Sequence, residues 1–221
     1  AVDRTLQAVY RREKITVFGD YDADGITSDV VLIKFLNQFD PTVQYYIPDR
    51  IDEGYGLNRE AIDRIRQGGS RLIITIDCGV SDHDPVAYAK SLGIDTIILD
   101  HHEVPGSLPD AAAVVNPTRP DCRFPFKHLA AVGIAFNFLI ALRAVLRKED
   151  FWKKGNFPNL REYLDLVGRL VERDVRANGL PARVLATTDR RAALEGADYV
   201  VNTTRSGGLE AFGLDIEIPR K

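Results

Sequence analysis

Apolar positions in this chain come in two alternating patterns, short β-branched runs and longer stretches with helical spacing. KITVFGD (14–20) is a short run that ends in an acidic loop, and ITSDVVLIKFLNQF (26–39) then reads as a helix. VQYYIPD (43–49) is a second strand, followed by the Gly-flanked loop DEGYGL. Asn58 is the expected N-cap of a helix from Arg59 to Gln67, which Gly68 and Gly69 stop. RLIITID (71–77) and DTIILD (95–100) are unbroken apolar runs ending in Asp, the pattern of strands buried on both faces of a parallel sheet. HDPVAYAKSLG between them is a helix, and AAVVNP (112–117) a shorter strand. Residues 128–148 are apolar almost all round and predict a core helix, and another helix begins at Leu160. The β-α-β-α order predicts an α/β fold in three layers. Its sheet is doubly wound and mainly parallel, with helices on both faces and right-handed crossovers.

Composition narrows the setting. At 221 residues the chain suits one large α/β domain, or one domain with a fragment of another. Hydrophobic residues at 45% and charged residues at 28% argue against disorder. A net charge of −3 makes the chain a poor general binder of nucleic acid, so a polyanion must be gripped locally, by metal ions or a few Arg and Lys. Two cysteines, Cys78 and Cys122, cannot build a disulfide framework, and a reducing cytoplasmic setting is expected. The first residues lack the apolar core of a signal peptide. The longest apolar stretch, Leu129 to Leu142, is shorter than the roughly 20 residues of a membrane span. Membrane and secreted classes are therefore excluded. No Met occurs anywhere, which is expected of an edited or partial sequence.

In an open parallel sheet, ligands bind outside the carboxyl ends of the strands. Three predicted strands end in acidic residues there: GDYDADG (Asp20, Asp22, Asp24), IDCG (Asp77) and LDHH (Asp100, His101, His102). Like charges gathered at one edge repel unless a cation neutralises them. Carboxylates with imidazole suit Mn²⁺ or Mg²⁺, and this many donors exceed the needs of one ion. Two ions would activate water and stabilise both oxygens of an in-line phosphoryl displacement. Each fragment alone has an ordinary explanation. Asp-x-Asp-x-Asp-Gly opens like a calcium loop, but its twelfth position is Val31, where that loop needs Glu. A single strand-end Asp is commonly a turn or capping residue. Three acidic strand ends at βαβ spacing have no comparably simple structural explanation.

VFGDYDADGITS, TIDCGVSD, ILDHHEVP and HLAAVGIAFNFL, with PDRIDEGYGL and VVNP, resemble the successive motifs of the DHH phosphoesterases. Within that family they resemble most the RecJ single-strand-specific exonucleases, over about residues 15–167. The resemblance implies that Asp22 and Asp24 carry metal with Asp20 beside them, that Asp77 bridges two ions, and that His101 is a ligand oriented by Asp100. It further implies that His102 faces the scissile phosphate and that Arg50 and Tyr55 line the channel for single-stranded DNA or short nucleotides. Cys78 is expected to be buried beside its strand.

The resemblance stops near Val167. Asp174 falls at about the spacing of the family's last ligand but reads as a solvent-facing helix residue. Residues 168–221 instead resemble a fragment of the NAD- and metal-dependent family-four glycoside hydrolases: a helix to Asn178-Gly179, the strand ARVLATTD, the helix RRAALEGAD and the strand YVVNTT. They lack that family's Gly-rich dinucleotide loop, so they read as structural Rossmann-like material extending the same sheet, with Asn202 as a turn residue. Two families meeting within residues 160–178 point to a fusion. The expected domains are therefore 1–167 and 168–221. The expected function is Mn²⁺-dependent phosphodiester hydrolysis, weakened without a second substrate-binding domain. A non-enzymatic fused scaffold with residual metal binding is the competing reading, and an NAD-dependent glycosidase is the third.

Overall fold

The computed structural model describes residues 1–39, 43–152 and 158–163, together with 167, 168, 172 and 176. Contacts divide the chain into two compact units, Ala1–Phe138 and Leu139–Lys221.

The first unit is built on five strands. In chain order its elements are α1 (Val2–Arg11), β1 (Lys14–Gly19), α2 (Ala23–Leu36), β2 (Gln44–Tyr46), α3 (Arg59–Gln67), β3 (Ser70–Ile76), α4 (His83–Ser91), β4 (Asp95–Leu99), β5 (Ala113–Val115) and the start of α5 (Ala131–Lys148). All strand pairs are parallel, in the spatial order β2-β1-β3-β4-β5. The connection from β1 runs one way across the sheet, and those from β2 onward run the other. With right-handed crossovers that reversal puts α2 on the face opposite α3 and α4, and opens a crevice between β1 and β3. Burial agrees: Phe18, Ile73 and Ile98 pack in one core with Ile62 and Ile65 of α3 and Val86 and Ala89 of α4. Val17, Ile74 and Ile97, which alternate with them along the strands, are also fully buried. This is the doubly wound α/β fold that the strand and helix order predicts.

The elements follow their sequence cues closely. Asn58 accepts the Ala61 N–H at 2.8 Å, capping α3 as expected. Two differences have local causes. The helix predicted from Ile26 starts at Ala23, because the Asp22 carboxylate accepts the N–H groups of Asp24 and Gly25 at 2.7 and 3.0 Å and caps it there. The unpredicted α1 is held at its polar face, where Arg4 bonds Glu13 and Asp95.

In the second unit, the Arg143 guanidinium donates to the Pro158 carbonyl at 2.8 Å, and Leu160–Tyr163 form a single 3₁₀ turn where a helix was expected to begin. Arg176 pairs with Glu172 one helical turn away. Asp174, Asn202 and the elements expected between Asn178 and Lys221 lie outside the described residues. No helix among the described residues is long and apolar enough to cross a membrane.

Candidate metal centre

Register builds the site. Gly19 pairs with Ile76, Ile76 with Leu99, and Leu99 with Val115, so four neighbouring strands end level with one another. The next residue of each is Asp20, Asp77, Asp100 and Asn116, a polar row along the carboxyl edge that includes the β1/β3 crevice. All four are buried. Asp77 turns there with φ of 62°, a left-handed backbone that Asp tolerates better than most residues, and its N–H donates to the Leu99 carbonyl at 3.0 Å.

The turn after β1 brings in more carboxylates. Gly25 lets α2 approach the end of β1, since a Cβ there would lie 2.5 Å from the Asp20 carbonyl oxygen. Asp24, buried in the first turn of α2, accepts from the N–H groups of Ala131 and Val132 at 2.9 and 3.1 Å. It thus caps α5 from a distance, and each oxygen keeps a second lone pair.

Two donor clusters form, each with ligand atoms within 4.8 Å of one another: Asp20, Asp22 and Asp77, and Asp77 with His101 and His102. Asp77 belongs to both. Of the expected ligands, Asp20, Asp22, Asp77 and His101 come together in these clusters, and Asp24 sits just behind them as a cap.

Hydrogen bonding sets the state of each imidazole. The Leu129 carbonyl can only accept, so His101 Nδ1 carries a proton toward it at 3.1 Å. His101 Nε2 then faces Asp77 Oδ1 at 3.1 Å. Asp100 was expected to orient His101, and here the structure differs. Asp100 Oδ1 accepts from His102 Nδ1 at 2.7 Å and from the backbone N–H groups of both histidines, and its Oδ2 accepts from Val80 N–H at 3.0 Å. The side chain of Asp100 therefore orients His102, while a main-chain carbonyl orients His101. His102 Nε2 is left turned away from this bond, on a side chain about half exposed.

Charge is crowded at this edge. Burial pushes the Asp77 carboxyl up to about 6 against the pull of His101. Burial acts to lower His101, but the adjoining Asp77 and the nearby charges of Asp24 and Asp100 together raise it to about 9. His102 is raised chiefly by its bond to Asp100. Burial acts to raise Asp100, but the bonds from His102 and Val80 win and hold it below the usual range. Asp77 Oδ1 is buried without a well-aligned hydrogen bond. Asp29 on α2 is likewise buried with both oxygens unpartnered. Burial first, and then Asp77 and Asp20, raise it to about 8.

The loop after β2 reaches the same edge. The Arg50 guanidinium lies 5.4 Å from the centre of the Tyr21 ring, between Asp20 and Asp22 in sequence. The Tyr55 hydroxyl donates to the Asp77 carbonyl at 2.9 Å and stands 3.3 Å from His102 Nδ1. Cys78 is fully buried, as expected, and both cysteines are free.

Sequence reasoning passed over four contributors. Asn116 donates from its side chain to the His102 carbonyl at 2.9 Å, joined there by the Thr118 hydroxyl at 3.0 Å. Its signal was present, as a polar residue closing a strand at the same place as the three Asp. Asp29 reads as a polar step on an otherwise apolar helix face. The Leu129 carbonyl has no sequence signal at all, since any residue could supply it.

Residues 14–167 match the DHH family, N-terminal domain, and residues 157–221 match family 4 glycosyl hydrolase, so the two matches meet at 157–167. The single-stranded-DNA-specific exonuclease RecJ of Bacillus subtilis is 48% identical over 149 residues, 67% of this chain and 19% of the relative. That of Salmonella typhimurium is 43% identical over 173 residues, 75% of this chain and 30% of the relative. The chain thus spans less than a third of either relative. An exonuclease RecJ solved with bound manganese superposes with a TM-score of 0.66 at 29% identity, over 80% of this chain and 42% of that one. Toward the other end, an α-galactosidase of Rhizobium meliloti is 55% identical over 58 residues, 26% of this chain and 12% of the relative. The level strand ends, the paired histidines and a family match running from β1 to Val167 agree, and the chain belongs to the DHH family.

Proposed function

We propose that residues 1–167 form a divalent-metal phosphodiesterase domain of RecJ type, acting on single-stranded DNA or short nucleotides, and that 168–221 are a separate fused segment. The observation that carries this reading is the convergence of Asp20, Asp22, Asp77 and His101 at the β1/β3 crevice, with Asp77 common to both donor clusters.

The residues suit a cation. A buried carboxylate oxygen without an aligned hydrogen bond, facing an imidazole nitrogen, is costly unless a proton or a metal lies between them. Because Leu129 holds the proton of His101 on Nδ1, the neutral ring offers its Nε2 lone pair toward Asp77. Asp22, Asp24, Asp77 and His101 would hold the metal, with Asp20 beside them. Mixed carboxylate and imidazole donors favour Mn²⁺ over Mg²⁺, and a carboxylate shared by two clusters suits two ions. Bound there, such ions supply the lowered pKa of water and the charge neutralisation that phosphodiester hydrolysis needs.

The chain's own groups do the rest. Asp100 fixes the His102 tautomer, leaving Nε2 free to meet the phosphate and, when protonated, to give its proton to the leaving oxygen. Asn116 and Thr118 hold the His102 backbone against that movement of charge. Arg50 and Tyr55 would line the path of the strand. Two free thiols accord with a reducing, cytoplasmic setting.

The test is a Mn²⁺ titration of the full chain, following melting and cleavage of a 5′-phosphorylated single-stranded oligonucleotide. A stabilisation of about 2.7 kcal/mol at a hundredfold excess over Kd, with cleavage, is the expected result. Asp77→Ala should abolish both responses. Stabilisation without cleavage would leave a metal-binding domain that is not a hydrolase, and absence of both would favour the fused scaffold.

A further inference from the structure

The loop between β2 and α3 is built more rigidly than a substrate-lining segment requires. Glu53 accepts from the Tyr46 hydroxyl at 2.8 Å and from the Arg64 guanidinium at 2.7 Å, which ties one end to β2 and α3. At the other end the Leu57 N–H donates to Asp82 Oδ2 at 2.7 Å, and the Leu57 side chain is buried in the core. Between these anchors Gly54 and Gly56 have φ of 77° and 83°, conformations that turn the chain sharply on each side of Tyr55. A Cβ on Gly56 would also lie 2.9 Å from the Asp82 carboxylate. The strap therefore has two pinned ends and one side chain at its tip.

That side chain meets the strained point of the site. Asp77 is a left-handed non-glycine residue, a conformation that lasts only where its surroundings over-determine it. Its N–H is held by Leu99 and its C=O by the Tyr55 hydroxyl, so the peptide group on each side has one partner. A carbonyl can only accept, so the one proton of the phenol lies on the bond to Asp77. The oxygen can then accept weakly from His102 Nδ1, and the Tyr55 ring meets His102 edge-on at 5.9 Å. One hydroxyl thus spans the ends of β3 and β4.

We infer that Tyr55 is a positioning residue for Asp77, and that residues 53–57 act as a strap setting the affinity of the site for divalent cations. The inference rests on the metal reading above. It adds that the loop works on the carboxylate common to both donor clusters, through its backbone, in addition to any contact with substrate.

The experiment uses the full chain and Mn²⁺ alone, with free Mn²⁺ read by its paramagnetic resonance signal and folding checked by melting in chelator. Tyr55→Phe keeps the ring and removes the hydroxyl. Its Kd for Mn²⁺ should rise about tenfold or more, the usual effect of losing a group that orients a ligand. In an Asp77→Glu background, where the carboxylate has already moved, the same change should have a much smaller effect. Should Tyr55→Phe fail to fold, Asp82→Ala, which frees the far anchor, should weaken Mn²⁺ binding in the same direction. Wild-type affinity in folded Tyr55→Phe, or an equal loss in both backgrounds, would overturn the inference and leave the metal site standing. A wild-type chain that binds no Mn²⁺ would overturn both.

Discussion

Asp29 faces Gly19 so closely that a Cβ on the glycine would overlap its carboxylate, and neither oxygen has a hydrogen-bond partner. Its ionisation is pushed up to about 8, so the folded chain keeps a proton that the unfolded chain loses near pH 4. Between those values the folded state binds more protons than the unfolded one, and stability must fall as pH rises from about 4 through 8. The loss is on the order of 3 kcal/mol, below full conversion of the shift because water relaxes around a buried charge. Melting in chelator should show this fall, and Asp29→Asn should flatten it. An unchanged slope in Asp29→Asn would place the effect on other groups. Asp77, raised to about 6, adds a smaller fall of the same sign, so the slope should diminish without vanishing.

At the scale of elements, Asp24 links α2 to the start of α5 by accepting two of the N–H groups that every helix leaves unpaired at its first turn. Asp24→Ala orphans both donors in a buried place, which should cost about 2 kcal/mol in the presence of chelator, beyond the roughly 1 kcal/mol typical of an exposed cap. A metal-free melting point within error of wild type would show that α5 starts without this bond. The elements themselves were largely legible. Strands β3 and β4 announce themselves by unbroken apolar runs, and α3 by Asn58 and its closing glycines. Less legible was anything decided by partners distant in sequence. Helix α1 does carry apolar positions at helical spacing, Val2, Leu6 and Val9, which the sequence reading left unassigned, whereas the bond from Arg4 to Asp95 that holds its polar face has no local signal. The pairing of Asp100 with His102, and of His101 with a main-chain carbonyl, depends on how the turn after β4 folds back. Acidic strand ends predicted which side chains gather at one edge of the sheet. Hydrogen-bond direction, which decides the role of each histidine, is a property of the assembled edge.

For the molecule as a whole, the proposed centre would make protons and cations compete for the same donors. Metal requires His101 neutral, yet pairing with Asp77 raises it to about 9 in the metal-free chain. Mn²⁺ affinity should therefore climb across the neutral range, by up to about tenfold per pH unit while one proton is displaced, where the residue types alone suggest a collapse only below about pH 5–6. Calorimetry at pH 6, 7 and 8 in buffers of different ionisation enthalpy would count that proton, and a flat affinity would remove His101 from the ligand set. The βαβ grammar predicted a doubly wound parallel sheet but not the order β2-β1-β3-β4-β5, since the alternation of strands and helices does not say where the reversal that opens the crevice falls.

Four strands stopping level has a mechanical corollary. Parallel neighbours lie about 4.8 Å apart, so the roots of Asp20, Asp77 and Asp100 are spaced by the main-chain ladder itself, a ruler that no side chain can lengthen. Insertions in surface turns should leave that gauge intact. One extra residue inside β3 would shift its closing Asp along the strand and invert which side chains meet each face, dismantling core and donor set in a single stroke.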